Sequence, residues 1–175
     1  SGIGLHNLRR AGFEQIIEFH EAYSYTILPH LQTTGQKIDF AFIDGAHTFD
    51  FVFVDFFYID KMLRRGGIVV FDDADWPSVR RVIRYIVVNL PYSVYRTLPP
   101  HLIKRSFRRR VYEGSLMVTS FILSGISKIP GFRKPVTRAF GAEFLGVDRK
   151  HGLAGSIIAL RKDGEDKRRS DYHID

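Results

Sequence analysis

The chain contains no cysteine in its 175 residues, which excludes disulfides and thiolate-bound metals and leaves no mark of redox compartment. It also has no apolar run long enough to form a membrane-spanning helix. Its start lacks the basic and apolar blocks of a signal peptide, so the cytoplasm is the expected location. Internal repeats and low-complexity segments are missing too. No aromatic-rich RNA-binding motif or helix-turn-helix pattern occurs, which disfavours nucleic acid as a partner. The first residue is Ser1 instead of methionine, and SGIG reads as a tag scar, a processed end or the edge of a truncated sequence.

What is present is globular material. Hydrophobic residues make up 45% of the chain and aromatics 14%, enough for one domain with a full core or for part of a larger one. The net charge of +7 is unevenly spread. Five of the seven residues in KRSFRRR, from Lys104 to Arg110, are basic. Lys104, Arg105, Arg108, Arg109 and Arg110 are read either as a contact for phosphate or an anionic membrane, or as a solvated helix face.

Along the chain, helical and extended patterns alternate. GLHNLRRAGF reads as the end of a helix stopped by Gly12, EQIIEFHEAYS as a short strand, and YTILPHLQTTG as a short helix ended by Gly35. IDFAFID is a nearly continuous apolar run, as expected of a strand covered on both faces. Thr48 is positioned to cap a helix carrying Val52, Phe56, Ile59 and Leu63 on one face, closed by RRGG. GIVVF follows as a second buried strand. Pro77 suits the first turn of a helix with Val79, Val82, Ile83, Ile86 and Leu90 along one side. YSVYRTL and GSIIALRK are the later strand candidates. This alternation predicts an α/β fold, a Rossmann-like parallel sheet with helices on both faces.

In open α/β sheets, ligands bind beyond the C-terminal ends of the strands. Asp44 and the pair Asp72–Asp73 fall at such ends on consecutive strands. The acids admit two readings. They converge as oxygen ligands for Mg²⁺ or another divalent ion, or Asp44 caps a turn with Gly45 while Asp73 or Asp75 caps the next helix.

The block IDFAFIDGAHTFDFVFVDFFYIDKMLRRGGIVVFDD resembles the central segment of class I S-adenosylmethionine-dependent methyltransferases, closest to their small-molecule O-methyltransferase-like branch. The positions that carry the likeness are Asp44, Gly45, His47, Asp55, Leu63, Gly66, Gly67, Asp72 and Asp73. EFHEAYSYTILPHL is similar to the family's third strand and following helix. Residues 5–98 resemble the second helix through the sixth strand, and GSIIALRK resembles the seventh strand. One departure is plain: no G-x-G-x-G follows a strand in this sequence, so the loop that receives the methionine part of the cofactor in relatives has no counterpart here. These 175 residues alone are therefore expected to show weak or absent methyl transfer.

The resemblance implies S-adenosylmethionine as cofactor and a hydroxyl of a small molecule as methyl acceptor. It implies a divalent metal, such as Mg²⁺, on Asp44, Asp72 and Asp73, and His47 as general base. On the cofactor side it implies Ala22, Tyr23, Ser24 and Asp44, with Tyr23 able to stack on the adenine. Trp76 is expected either to wall the substrate pocket or to cover the sheet edge, and Asp55 to be a structural partner inside the helical layer.

The expected organisation is a methyltransferase-like part at residues 1–98, a basic and apolar, mostly helical insertion at residues 99–147, and a last strand with a charged tail at residues 148–175. GSLMVTSFILSGISKIPGF is too apolar for a solvent-facing helix, and Phe51, Val54, Phe57 and Tyr58 make a second apolar face on the helix after Thr48. Burial in a homodimer is the favoured explanation, with an anionic membrane surface as the other. Two further readings of the whole chain stand beside the enzyme: a non-catalytic binding or scaffold module, and a basic module docking on an anionic membrane or nucleic acid.

Overall fold

The computed structural model describes residues 2–98, 125 and 146–168. The expected insertion at residues 99–147, its basic cluster from Lys104 to Arg110 and its apolar run lie almost wholly outside the described residues, as does the end of the charged tail. Helix α1 (Ile3–Arg10) leads through a short 3₁₀ turn (Glu14–Ile16) to α2 (Ser24–Thr33). Then follow β1 (Ile38–Ile43), α3 (Phe49–Met62), β2 (Leu63–Phe71), α4 (Pro77–Asn89), β3 (Tyr92–Thr97), α5 (Val147–His151) and β4 (Ile158–Lys162).

The four strands form one sheet in the order β1-β2-β4-β3. β1 and β2 pair in parallel, while β4 runs antiparallel to both β2 and β3. Three strands thus share a direction and β4 alone is reversed. This is a mixed α/β fold with a parallel start, consistent with part of a Rossmann-like methyltransferase fold. The C-terminal ends of β1 and β2 lie side by side, since Ile43 pairs with Phe71.

The core occupies one face of the sheet. Ile43, Val69, Phe71, Ile158 and Leu160 alternate along their strands toward it and meet Val52, Phe56 and Ile59 of α3 and Val79, Val82, Ile83 and Ile86 of α4. Burial of each such side chain contributes about 1.5–3 kcal/mol before entropy is counted. Helix α2 packs on α3 instead of on the sheet.

The sequence reading needs four corrections. EQIIEFHEAYS does not form a strand: it holds the 3₁₀ turn and irregular backbone, with no buried residue among Glu14–Ile16. Among the described residues β1 lies at the edge of the sheet and is not covered on both faces; Phe40 and Phe42 point away from the core and are 60% and 51% exposed. RRGG does not close α3. The helix stops at Met62, Leu63 opens β2, and the pairing jumps from Ile38–Leu63 to Phe40–Ile68, so residues 64–67 bulge out of the ladder. The bulge needs glycine at Gly67, where a Cβ would stand 2.7 Å from Leu63 Cδ1 and 2.9 Å from the Arg64 carbonyl oxygen. Lastly, Thr48 occupies the N-cap position of α3 without capping it. The Thr48 hydroxyl, two residues before Asp50, lowers the pKa of that acid.

Candidate functional site

The turn after β1 and the turn after β2 meet at the edge where both strands end. The Asp72 N–H donates to the Ile43 carbonyl at 3.0 Å, extending the ladder one step beyond the strands. The β2 turn is then pinned twice more, by Ala74 N–H to the Ser156 carbonyl at 2.7 Å and Trp76 N–H to the Asp73 carbonyl at 2.8 Å. Asp73 sits at φ +46°, in the left-handed region that aspartate tolerates better than most residues. From that backbone its carboxylate faces the other turn.

His47 lies between the two turns. Its Nε2 is 3.6 Å from Asp44 Oδ1 and 3.5 Å from Asp73 Oδ2, near enough for charge interaction and too far for a proper hydrogen bond. Nε2 itself is buried, and no hydrogen bond reaches it. The Ser78 hydroxyl, in the first turn of α4, donates to the His47 carbonyl and ties the β1 turn to that helix. The Trp76 ring, 46% exposed, stands 5.5 Å from the imidazole at an interplanar angle of 32°. Asp44, His47, Asp73 and Trp76 are therefore brought together.

The expected metal set is not supported. Among the described residues no group of three His, Cys, Asp or Glu side chains is placed to hold a metal ion. An imidazole stands between two of the three expected acids, and what joins Asp72 to the other turn is its backbone. The described residues therefore offer a divalent ion no set of three converging donors.

Ala22, Tyr23 and Ser24 lie at the start of α2, where Tyr23 takes the N-cap position. Tyr23 is 71% exposed and stacks on Tyr25 at 5.2 Å, and Tyr25 reaches Phe51 of α3 at 5.7 Å. Ser24 is half-buried at the first residue of α2; burial raises the pKa of Asp55 on α3, and the Ser24 hydroxyl opposes that rise. A separate depression of about 300 Å³ between α1 and the 3₁₀ turn is lined by Leu5, Arg9, Glu14, Ile17 and Phe19, and includes none of the expected site residues.

Residues 5–74 match a methyltransferase domain family. The matched span runs from α1 through both turns to Ala74 and contains Asp44, His47, Asp72 and Asp73, which supports a class I methyltransferase-like domain. An uncharacterized protein of Acanthamoeba polyphaga mimivirus is 36% identical over 89 residues. That stretch is 46% of this chain, and the chain spans 40% of the length of that relative.

Sequence reasoning missed Ser78, whose only signal was its place one residue after Pro77. It also missed Lys162, which is 2% exposed near the end of β4. Its ammonium donates to the carbonyls of Asp60 at 2.7 Å and Leu63 at 3.1 Å and pairs with Asp60 Oδ1 at 3.3 Å. The Tyr92 hydroxyl donates to the same carboxylate oxygen at 2.8 Å. This network fixes the junction of α3 and β2 against β3 and β4. Among the described residues no helix is long and apolar enough to cross a membrane.

Proposed function

We propose that this domain supplies the acceptor side of a site that transfers the methyl group of S-adenosylmethionine to a hydroxyl of a small-molecule acceptor, with His47 as the general base and with transfer by these 175 residues alone weak or absent. The observation that carries the reading is the imidazole seated between the Asp44 and Asp73 carboxylates at the strand ends, inside the span that matches a methyltransferase domain. The exposed ring of Tyr23 and the exposed carboxylate of Asp44 suit the flat base and the polar groups of the cofactor. When bound, the cofactor supplies an electrophilic sulfonium methyl. Ala22 and Ser24, beside Tyr23 at the start of α2, complete the proposed cofactor side.

The chain's own residues account for the rest of the chemistry. With two carboxylates facing Nε2, a proton held there leaves the Nδ1 lone pair to take the acceptor's hydroxyl proton. The carboxylates offset the positive charge that this transfer places on the ring. Trp76 offers an aromatic wall beside the imidazole and orients a flat acceptor against it. Replacing His47 with glutamine keeps a polar side chain but removes the base. The expected result is a fall in kcat of about 10²–10⁴-fold with unchanged affinity for S-adenosylmethionine. Unchanged kcat in His47→Gln removes His47 from the chemistry.

A further inference from the structure

Ser78 is the second residue of α4 and is half-buried. A serine in the first turn of a helix can turn its hydroxyl to water or to its own backbone. Here the hydroxyl crosses to the other turn of the site and donates to the His47 carbonyl, 31 residues away in sequence. It is one of three contacts that residues 73–78 make with that histidine. The Asp73 carboxylate faces Nε2 at 3.5 Å, the Trp76 ring stands 5.5 Å from the imidazole, and the Ser78 hydroxyl holds the backbone. Only the last is a hydrogen bond, since none reaches Nε2. The turn after β1 is therefore tied to its neighbour at its base, by Asp72 N–H to the Ile43 carbonyl, and at its far end by Ser78. Helix α4 does not depend on the Ser78 bond for its own place. Arg80 donates to the Gly155 carbonyl at 2.9 Å, Arg84 holds the Asp148 carboxylate by two bonds of 2.6 and 2.7 Å, and Val79, Val82 and Ile83 fill the core.

We propose that Ser78 is a positioning residue for His47, fixing the backbone from which the imidazole meets Asp73 and Trp76. This deepens the methyl-transfer reading and rests on it for its functional meaning. A general base works only within hydrogen-bond reach of the proton it takes, and a misplacement of about 1 Å can cost on the order of 10²-fold in rate. The other two contacts do not set the ring's direction. Charge attraction across 3.5 Å has little angular preference, and the 46% exposed indole leaves the imidazole room to slide. The bond from Ser78 is directional, and it comes from a helix held in place by other means. Its loss frees the turn after β1 and leaves α4 where it is.

The test compares wild type, Ser78→Ala and Ser78→Thr in the full-length gene product, without cofactor and at one pH. Two signals are read: amide hydrogen exchange by mass spectrometry, and the carbon–proton NMR correlation of the His47 imidazole, identified as the one missing from His47→Gln. Ser78→Ala is expected to speed exchange across residues 45–48 by roughly fivefold or more. The same change is expected to shift and broaden the His47 correlation, while exchange across residues 80–89 of α4 stays at the wild-type rate. Ser78→Thr keeps a hydroxyl in the same place and is expected to restore both signals. An unchanged His47 correlation in Ser78→Ala overturns the proposal, because a merely structural serine would leave the ring as it was. So does acceleration spread equally over α4, or a Ser78→Thr protein as loose as Ser78→Ala. A failure of the methyl-transfer reading shows separately, as a wild-type protein that does not bind S-adenosylmethionine.

Discussion

Lys162→Met removes one positive charge from the most enclosed polar cluster described in the domain while leaving most of the side chain's apolar bulk in place. The wild-type ammonium, with a side chain 3% exposed, serves two backbone carbonyls, of Asp60 and Leu63, and the Asp60 carboxylate, whose side chain is 12% exposed. Its contact with Glu165 at 3.3 Å adds little, because that acid is 70% exposed. Methionine leaves the carboxylate with the Tyr92 hydroxyl and leaves the two carbonyls without this donor. Stranding one charge of a buried pair costs about 3–5 kcal/mol, and that figure already includes part of the carbonyl loss. Against a total stability of about 5–15 kcal/mol, this is a large fraction. In urea, with a slope of about 2 kcal/mol per molar, the midpoint is expected to fall by about 1.5–2.5 M. Lys162→Met combined with Asp60→Asn removes the stranded charge while keeping an acceptor for Tyr92, so the pair is expected to lose less than the sum of the single changes. A loss below about 1 kcal/mol for Lys162→Met, or strict additivity in the pair, would refute the argument that the charge is buried and dependent on this partner.

The same cluster predicts an alkaline limit. Burial first, and then the Asp60 carboxylate, push the Tyr92 phenol well above its ordinary range. The phenol therefore contributes stability that is complete below the unfolded value near pH 10 and declines as pH rises above it, by up to about 1.4 kcal/mol per pH unit. Unfolding free energies measured from pH 9 to pH 11 are expected to fall more steeply for wild type than for Tyr92→Phe, and parallel curves would contradict this. Gly155 lies at φ +96° with the Leu98 carbonyl oxygen 1.9 Å from where a Cβ would stand. Gly155→Ala is expected to cost about 1–3 kcal/mol or more in denaturant melts, through displacement of the end of β3. A loss under about 0.5 kcal/mol would show that the contact yields freely.

Much of this architecture was legible because the apolar pattern and the turn chemistry agreed. Val79, Val82, Ile83 and Ile86 sit at helical spacing behind Pro77, and all four are buried on α4, which begins at that proline. The strands at GIVVF and GSIIALRK also form where their apolar runs fall. EQIIEFHEAYS misled because its apolar residues give no period that separates a strand from a turn, and no strand of the described sheet pairs with it. Composition likewise hid that IDFAFID lies at the edge of the described sheet: a run rich in phenylalanine reads as buried on both sides whether or not a second layer covers Phe40 and Phe42. In the site, the spacing placed Asp44 and Asp73 at neighbouring strand ends correctly. It could not show that an imidazole from the intervening turn lies between them, because that depends on the left-handed backbone at Asp73 and on Ser78 holding the His47 carbonyl. Lys162 was invisible for a related reason. A lysine near a chain's charged tail reads as solvated until its partners, some 100 residues away in sequence, are known.

Calorimetric titration of S-adenosylmethionine into the full-length gene product, beside Asp44→Asn and Tyr23→Ala, tests the central claim most directly. The account predicts saturable binding at one site, weakened by about tenfold or more in Asp44→Asn, where a charge-assisted contact is lost, and weakened less in Tyr23→Ala. Absence of binding to the wild-type protein, or equal affinity in all three, would contradict it.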